Sequence, residues 1–133
     1  MQRYMLDTNA VSHLLKRQPN VARRVAALPK SSLCISSITE GELLFGLAKR
    51  PAATALHAAV RELLLRVETM PLDSLTAEHY RPVRADMVKR GGTLAPLDML
   101  IATHALSIDP VLVTNDQAIC QMPGLRTDDW SVQ

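Results

Sequence analysis

The chain has 133 residues, with 15 Lys and Arg against 13 Asp and Glu and a formal net charge of +2; this length is close to the commonest size of one domain, so a single domain over 1–133 is expected. The hydrophobic content of 47% is ordinary for a globular protein, and no apolar stretch is long enough to cross a bilayer, which excludes a membrane span. The N-terminus lacks the basic region, long apolar run and small-residue cleavage site of a secretory leader, so the expected location is cytoplasmic.

In chain order, Tyr4 to Leu6 and Leu33 to Ser36 read as short buried strands, the second preceded by the turn-like Pro29-Lys30-Ser31-Ser32. A third strand is predicted over Arg66 to Met70, ended by Pro71, and a fourth at Val111-Leu112-Val113-Thr114 after Asp109-Pro110. Leu125 to Thr127 adds an edge strand. Between the strands, apolar residues recur at helical spacing: Val11, Leu14 and Leu15; Val21, Ala22, Val25 and Ala26; Leu43, Leu44 and Leu47. The longest stripe is Ala52, Ala53, Leu56, Val60, Leu63, Leu64 and Val67, behind an initiating Pro51. Residues 76–90 also read as a helix, with Tyr80, Val83 and Met87 on one face; Pro82 either starts its main body or kinks it, and Gly91-Gly92 ends it. Ile101, Ala102 and Ala105 follow Asp98 at helical spacing and are small enough to let that helix lie close to a sheet. Strands alternating with helices predict an α/β fold with a mostly parallel sheet, in which ligands bind beyond the carboxyl ends of the strands where strand order reverses.

Asp7 stands directly after Tyr4-Met5-Leu6, and Glu42, Asp98 and Asp116 stand at other strand or helix boundaries. If those boundaries share one edge of the sheet, four carboxylates converge. Their repulsion then calls for protons or a hard cation, and oxygen ligands of this kind suit Mg²⁺ or Mn²⁺, so the chain reads as a metal-dependent enzyme. Each acid also has a structural reading. Asp7 is a favoured helix N-cap. Thr39-Glu40-Gly41-Glu42 satisfies the capping-box pattern, which accounts for Glu42 without any chemistry, although Gly41 costs about 1 kcal/mol against alanine inside a helix. Asp98 opens a helix after Ala95-Pro96-Leu97, and Asp116 starts the turn towards Pro123-Gly124. What favours chemistry is the set: all four fall at the same kind of junction, whereas caps alone would include Ser or Thr.

Other chemistries find less support. Cys34 and Cys120 are widely separated, without Cys-x-x-Cys or Cys/His spacing, and read as small core residues rather than a zinc site or disulfide. His13, His57, His79 and His104 are dispersed without ligand spacing and receive no role, His104 reading as a hydrogen-bonded surface or core histidine. There is no Gly-x-Ser-x-Gly elbow, phosphate loop or Gly-x-Gly-x-x-Gly fingerprint. Aromatic residues, at 3%, are too few for a base-stacking platform. With acids gathered in one pocket, the remaining surface is more basic than the total charge implies, and Arg23, Arg24, Lys49, Arg50, Arg81, Arg84, Lys89 and Arg90 are available to grip phosphates.

Leu6-Asp7-Thr8-Asn9, Ser37-Ile38-Thr39 running into Glu42-Leu43 with Gly46 beyond, Asp98 leading Ile101-Ala102, and Thr114-Asn115-Asp116 together resemble the PIN-domain ribonucleases, in order and in spacing, over essentially the whole chain. Within that family the likeness is to the VapC toxins of bacterial toxin–antitoxin pairs, which Pro123-Gly124-Leu125 and Asp129-Trp130 also resemble. The resemblance implies a three-layer α/β/α, Rossmann-like fold and an endoribonuclease dependent on Mg²⁺, with Mn²⁺ as a substitute. Asp7, Glu42, Asp98 and Asp116 would be its catalytic metal ligands, and Thr8 and Thr114 their polar supports. It places the family's Glu-Leu-x-x-Gly pattern on Glu42 rather than Glu40. It further implies structured RNA as substrate, transfer RNA and initiator tRNA among the candidates, a VapB-like antitoxin as inhibitor, and a homodimer. The chain departs from the family at Gly41 and at Ile119-Cys120, where many relatives carry phenylalanine. Two rivals use Asp7 as a phosphoacceptor. A haloacid-dehalogenase-like phosphohydrolase wants a second Asp where Asn9 stands, and a receiver domain wants a lysine directly after the Val111 to Thr114 strand. A third reading is an inactive PIN scaffold that binds a partner, against which the intact acids speak.

Overall fold

The computed structural model describes residues 1–92 and 94–132. Its five strands are β1 (Tyr4–Leu6), β2 (Leu33–Ser36), β3 (Glu68–Met70), β4 (Val111–Val113) and β5 (Thr127–Asp128). They form one sheet in the order β3-β2-β1-β4-β5, and every pairing is parallel. Around the sheet lie α1 (Thr8–Leu15), α2 (Pro19–Ala26), α3 (Ser37–Ala48), α4 (Thr54–Arg66), α5 (Ser74–Lys89), α6 (Pro96–Ile108) and the short α7 (Gln117–Cys120).

The three-layer arrangement follows from strand alternation, since successive side chains point to opposite faces of a sheet. Leu6, Leu33, Ile35 and Val113 enter one core with Val11, Val21, Leu43, Leu47, Val60, Leu63 and Trp130, drawn from α1 to α4 and the C-terminal tail. The alternate residues Met5, Cys34 and Leu112 enter a second core with Ile101, Ala102, Ala105, Ile119 and Met122, supported by Val83 and Met87 of α5. Met5, in register with both Cys34 and Leu112, is fully buried at the centre of the second. The small residues of α6 sit against the sheet as their size predicts. Among the described residues, no helix is long and apolar enough to cross a membrane.

Some sequence expectations shift. The long stripe does not begin at Pro51: α4 starts at Thr54, and Ala53 precedes it without a side-chain cap. The chain must turn between α3 and α4, and Ala53 N donates to Arg50 O at 3.1 Å and Thr54 N to Ala52 O at 3.0 Å, so Ala52 and Ala53 serve the turn rather than the stripe. Arg66 closes α4, and the third strand begins at Glu68. The edge strand lies two residues later than predicted because Leu125 packs into the second core and pairing begins at Thr127 opposite Leu112. The helix of α5 carries Pro82 on its exposed side without interruption. It ends where Gly91 takes φ +73°, a left-handed conformation that suits glycine, and Gly92 N reaches back to Met87 O at 2.9 Å. Cys34 is buried as expected, but Cys120 is exposed because α7 turns Ile119 inward instead.

Candidate functional site

Strand order dictates where a ligand site belongs. The chain builds β1, β2 and β3 outward in one direction, then returns to lay β4 on the other side of β1 and β5 beyond it. The carboxyl ends of β1 and β4 are therefore the point where strand order reverses, and a crevice opens there in parallel sheets. Asp7 occupies the end of β1, tied to its neighbour by a bond from Asp7 N to Val113 O of 3.1 Å. Thr114 and Asp116 follow β4, and Glu42 rides on the helix that leaves β2.

Asp7 is 6% exposed and does cap a helix, its Oδ1 accepting from Ala10 N at 2.7 Å. Capping does not exhaust it. Burial pushes its carboxyl above the ordinary value of 3.8, with the Asp116 charge adding to the rise, while the Thr114 hydroxyl, the Ala10 amide and His13 oppose it. Asp116 likewise caps α7, its Oδ1 accepting from Ala118 N at 2.9 Å and Ile119 N at 3.2 Å. Its own amide donates to the Thr114 hydroxyl at 3.1 Å, the same hydroxyl that holds the Asp7 pKa down.

The other two acids are not caps. Ser36 caps α3 through its hydroxyl, which accepts from Ile38 N at 3.1 Å. Thr39 and Glu42 therefore lie inside the helix, and the capping-box reading of Thr39 to Glu42 is wrong by three positions: the first turn forms directly off the strand. Glu42 instead receives the Thr8 hydroxyl on Oε1 at 2.6 Å. Asp98 is the third residue of α6, which starts at Pro96 after Ala95, with no side-chain cap. A carboxylate in a first turn is favoured by the helix dipole. Here that preference is outweighed: burial raises the Asp98 pKa, and the charges of Glu42, Asp116 and Asp7 raise it further. The other three predicted acids thus all act on Asp98, and Glu42, not its rival Glu40, is the α3 acid among them.

The donor set is all carboxylate, the chemistry of a hard divalent cation. Protein donors take Oε1 of Glu42 and Oδ1 of Asp116, leaving each with a second oxygen that no hydrogen bond engages among the described residues. Burial is the first cause of the raised pKa values of Asp7 and Asp98, and neighbouring carboxylates add to both. Among the described residues, no three His, Cys, Asp or Glu side chains close into a cage that would hold an ion as placed. The acids face one another as a repelling group whose charge, rather than whose closed geometry, suits a cation. Of the histidines, His104 proves to be a core residue, 1% exposed, with Nδ1 2.8 Å from Ser36 Oγ. No signal within the sequence pairs these two positions, which lie 68 residues apart.

The PIN domain family matches residues 4–125. The chain belongs to the PIN-domain family. This PIN domain is 37% identical over 131 residues to the tRNA(fMet)-specific endonuclease VapC of Salmonella typhimurium, covering 98% of this chain and 99% of the relative. It is 33% identical over 132 residues to the tRNA(fMet)-specific endonuclease VapC of Shigella flexneri, covering 98% and 100%. Its fold matches the crystal structure of DNA-bound VapBC from Salmonella typhimurium with a TM-score of 0.89, covering 98% of this chain and 99% of that one at 37% identity. The same TM-score of 0.89, at 26% identity and covering 97% and 99%, relates it to VapBC2 of Rickettsia felis bound to a promoter DNA fragment. The resemblance seen in the motifs and the α/β/α fold are both borne out.

Proposed function

We propose that this single PIN domain is the endoribonuclease toxin of a VapBC-type pair, hydrolysing phosphodiester bonds in structured RNA with Mg²⁺, or Mn²⁺ in its place. The observation that carries the reading is the action of Asp7, Glu42 and Asp116 on Asp98, beside the carboxyl edge of β1 and β4. Transfer RNA is the substrate class the relatives support, and initiator tRNA is the first candidate because two of them are named tRNA(fMet)-specific. The VapBC complexes among structures of the same fold support a VapB-like antitoxin as partner. It would inhibit by occupying the groove, with a basic side chain among the acids. A homodimer in the cytoplasm completes the reading.

Asp7, Glu42 and Asp98 would hold the cation, with Asp116 completing the set directly or through water. When bound, Mg²⁺ supplies acidified water as nucleophile and charge stabilisation for the phosphodiester. The chain's own residues orient that chemistry. Thr8 pins Glu42 by one oxygen, the α7 amides pin Asp116, and the Ala10 amide with the Thr114 hydroxyl fixes Asp7. The same constraint argues against Asp7 as a phosphoacceptor: at 6% exposure, with Oδ1 committed to the Ala10 amide, it is a poor nucleophile.

The deciding experiment incubates purified protein with total RNA and with tRNA, in Mg²⁺ or in EDTA, alongside Asp7→Asn. Discrete fragments lost in EDTA and in the variant are expected. Equal cutting by Asp7→Asn would overturn the reading, as would a covalent adduct at Asp7 after acetyl-phosphate treatment.

A further inference from the structure

We infer that His104 is a positioning residue: its imidazole, bonded to the Ser36 hydroxyl, sets the spacing between the helix that carries Glu42 and the helix that carries Asp98. The inference rests on the reading above, in which those two acids share a divalent cation.

His104 lies on α6 and is 1% exposed, while Ser36, at the β2–α3 junction, is fully buried. Ser36 Oγ accepts from Ile38 N at 3.1 Å, which leaves its hydroxyl proton free for His104 Nδ1 at 2.8 Å. With that proton donated, Nδ1 accepts and the ring is a neutral imidazole. Burial, which holds the ring's pKa below its ordinary value, agrees with that state.

A side chain needed only to fill this space would be apolar, because burying a polar ring costs free energy unless its nitrogens are satisfied. Here Nδ1 is satisfied by a residue at the end of β2, outside α6. The joint therefore ties α6 to the end of β2, where α3 begins. Glu42 stands six residues beyond Ser36 along α3, and Asp98 six residues before His104 along α6. At the helical rise, each acid is about 9 Å from the joint, so a tilt of ~5° there displaces a carboxylate by about 0.8 Å. Metal–ligand distances tolerate only about 0.2 Å.

The test measures Mn²⁺ binding by calorimetry, and thermal unfolding in EDTA, for the wild type, His104→Leu, His104→Asn, Ser36→Ala and the double variant His104→Leu/Ser36→Ala. Loss of the joint in His104→Leu or Ser36→Ala is expected to weaken Mn²⁺ binding about tenfold or more, as supporting-residue changes around metal sites do. The double variant should bind no worse than the weaker single one, since one bond joins the two residues. His104→Asn, whose Oδ1 replaces Nδ1 as acceptor, should recover most of the affinity. A folded His104→Leu that binds within twofold of the wild type overturns the inference, as does His104→Asn impaired as severely as His104→Leu. If His104→Leu does not fold, Ser36→Ala decides by the same twofold limit. Wild-type protein that takes up no Mn²⁺ overturns the proposed function itself, whereas wild-type uptake with unaffected variants overturns only the role of His104.

Discussion

The Thr8 hydroxyl donates to Glu42 Oε1 at 2.6 Å, joining the first residue of α1 to the middle of α3 across 34 positions. Thr8 follows Asp7 directly, so one strand end supplies both an acid and the donor that orients a second acid. Removing the donor in Thr8→Val should leave Glu42 free to rotate and weaken Mn²⁺ binding about tenfold, with RNA cleavage falling in step. Thr8→Ser should keep both. Calorimetry and cleavage rates on the pair of variants check this.

Asp7→Asn keeps the cap, because an asparagine Oδ1 also accepts from Ala10 N, but removes a buried charge from a repelling group. The metal-free variant should therefore melt roughly 3 °C above wild type at pH 7, the response to about 1 kcal/mol at this size, while cleavage is lost. Differential scanning calorimetry in EDTA reads the first outcome and RNA gels the second.

The stability of the metal-free protein should depend on pH from two directions. Asp7 and Asp98 have folded pKa values raised above 3.8, so their contribution is complete below that value and is lost as pH rises through the folded values. His104 has a folded pKa lowered from 6.5, so its contribution is complete above 6.5 and is lost as pH falls through the folded value. The two contributions oppose each other between 3.8 and 6.5, so urea midpoints in EDTA should separate them by variant: Asp7→Asn should lessen the loss at rising pH, His104→Asn the loss at falling pH, and Mn²⁺ should flatten the loss due to the aspartates.

Arg81 and Lys89 are exposed on α5, Arg81 at its middle and Lys89 at its last residue, and α5 packs on α6, the helix that carries Asp98. Arg84 is engaged by Tyr80 and Arg90 by Asp86, whereas Arg81 and Lys89 make no ion pair among the described residues. Replacing either with alanine should weaken tRNA binding and reduce the slope of log affinity against log salt by about 0.7–0.9. Filter binding in EDTA across a salt series measures it without cleavage.

Trp130 is 1% exposed, packs against Tyr4 with ring centroids 5.2 Å apart, lies under Arg24, and donates from Nε1 to Asp128 Oδ2 at 3.0 Å. Trp130→Ala should cost about 3–5 kcal/mol of stability. Chemical denaturation would show it as a lowered midpoint, with activity retained in whatever fraction stays folded.

What the sequence by itself determined was the alternation of strands and helices and the burial of Met5 and Ile35, and it singled out the four acids as candidates. Each rests on local pattern: periodicity selects the element, and an acid at a strand end announces itself by position. Local pattern misled where two readings shared a signal. Thr39 to Glu42 matched a capping box, yet Ser36 took the cap, because α3 begins without a loop; Ala52 and Ala53 matched a helical stripe but were claimed by the turn into α4. Only the tertiary structure decided that β4 returns beside β1, that Glu42 acts on Asp98, and that His104 meets Ser36. Those are relations between residues far apart in the chain, and their energies come from burial and Coulomb repulsion, which exist only once the sheet has brought its strand ends together.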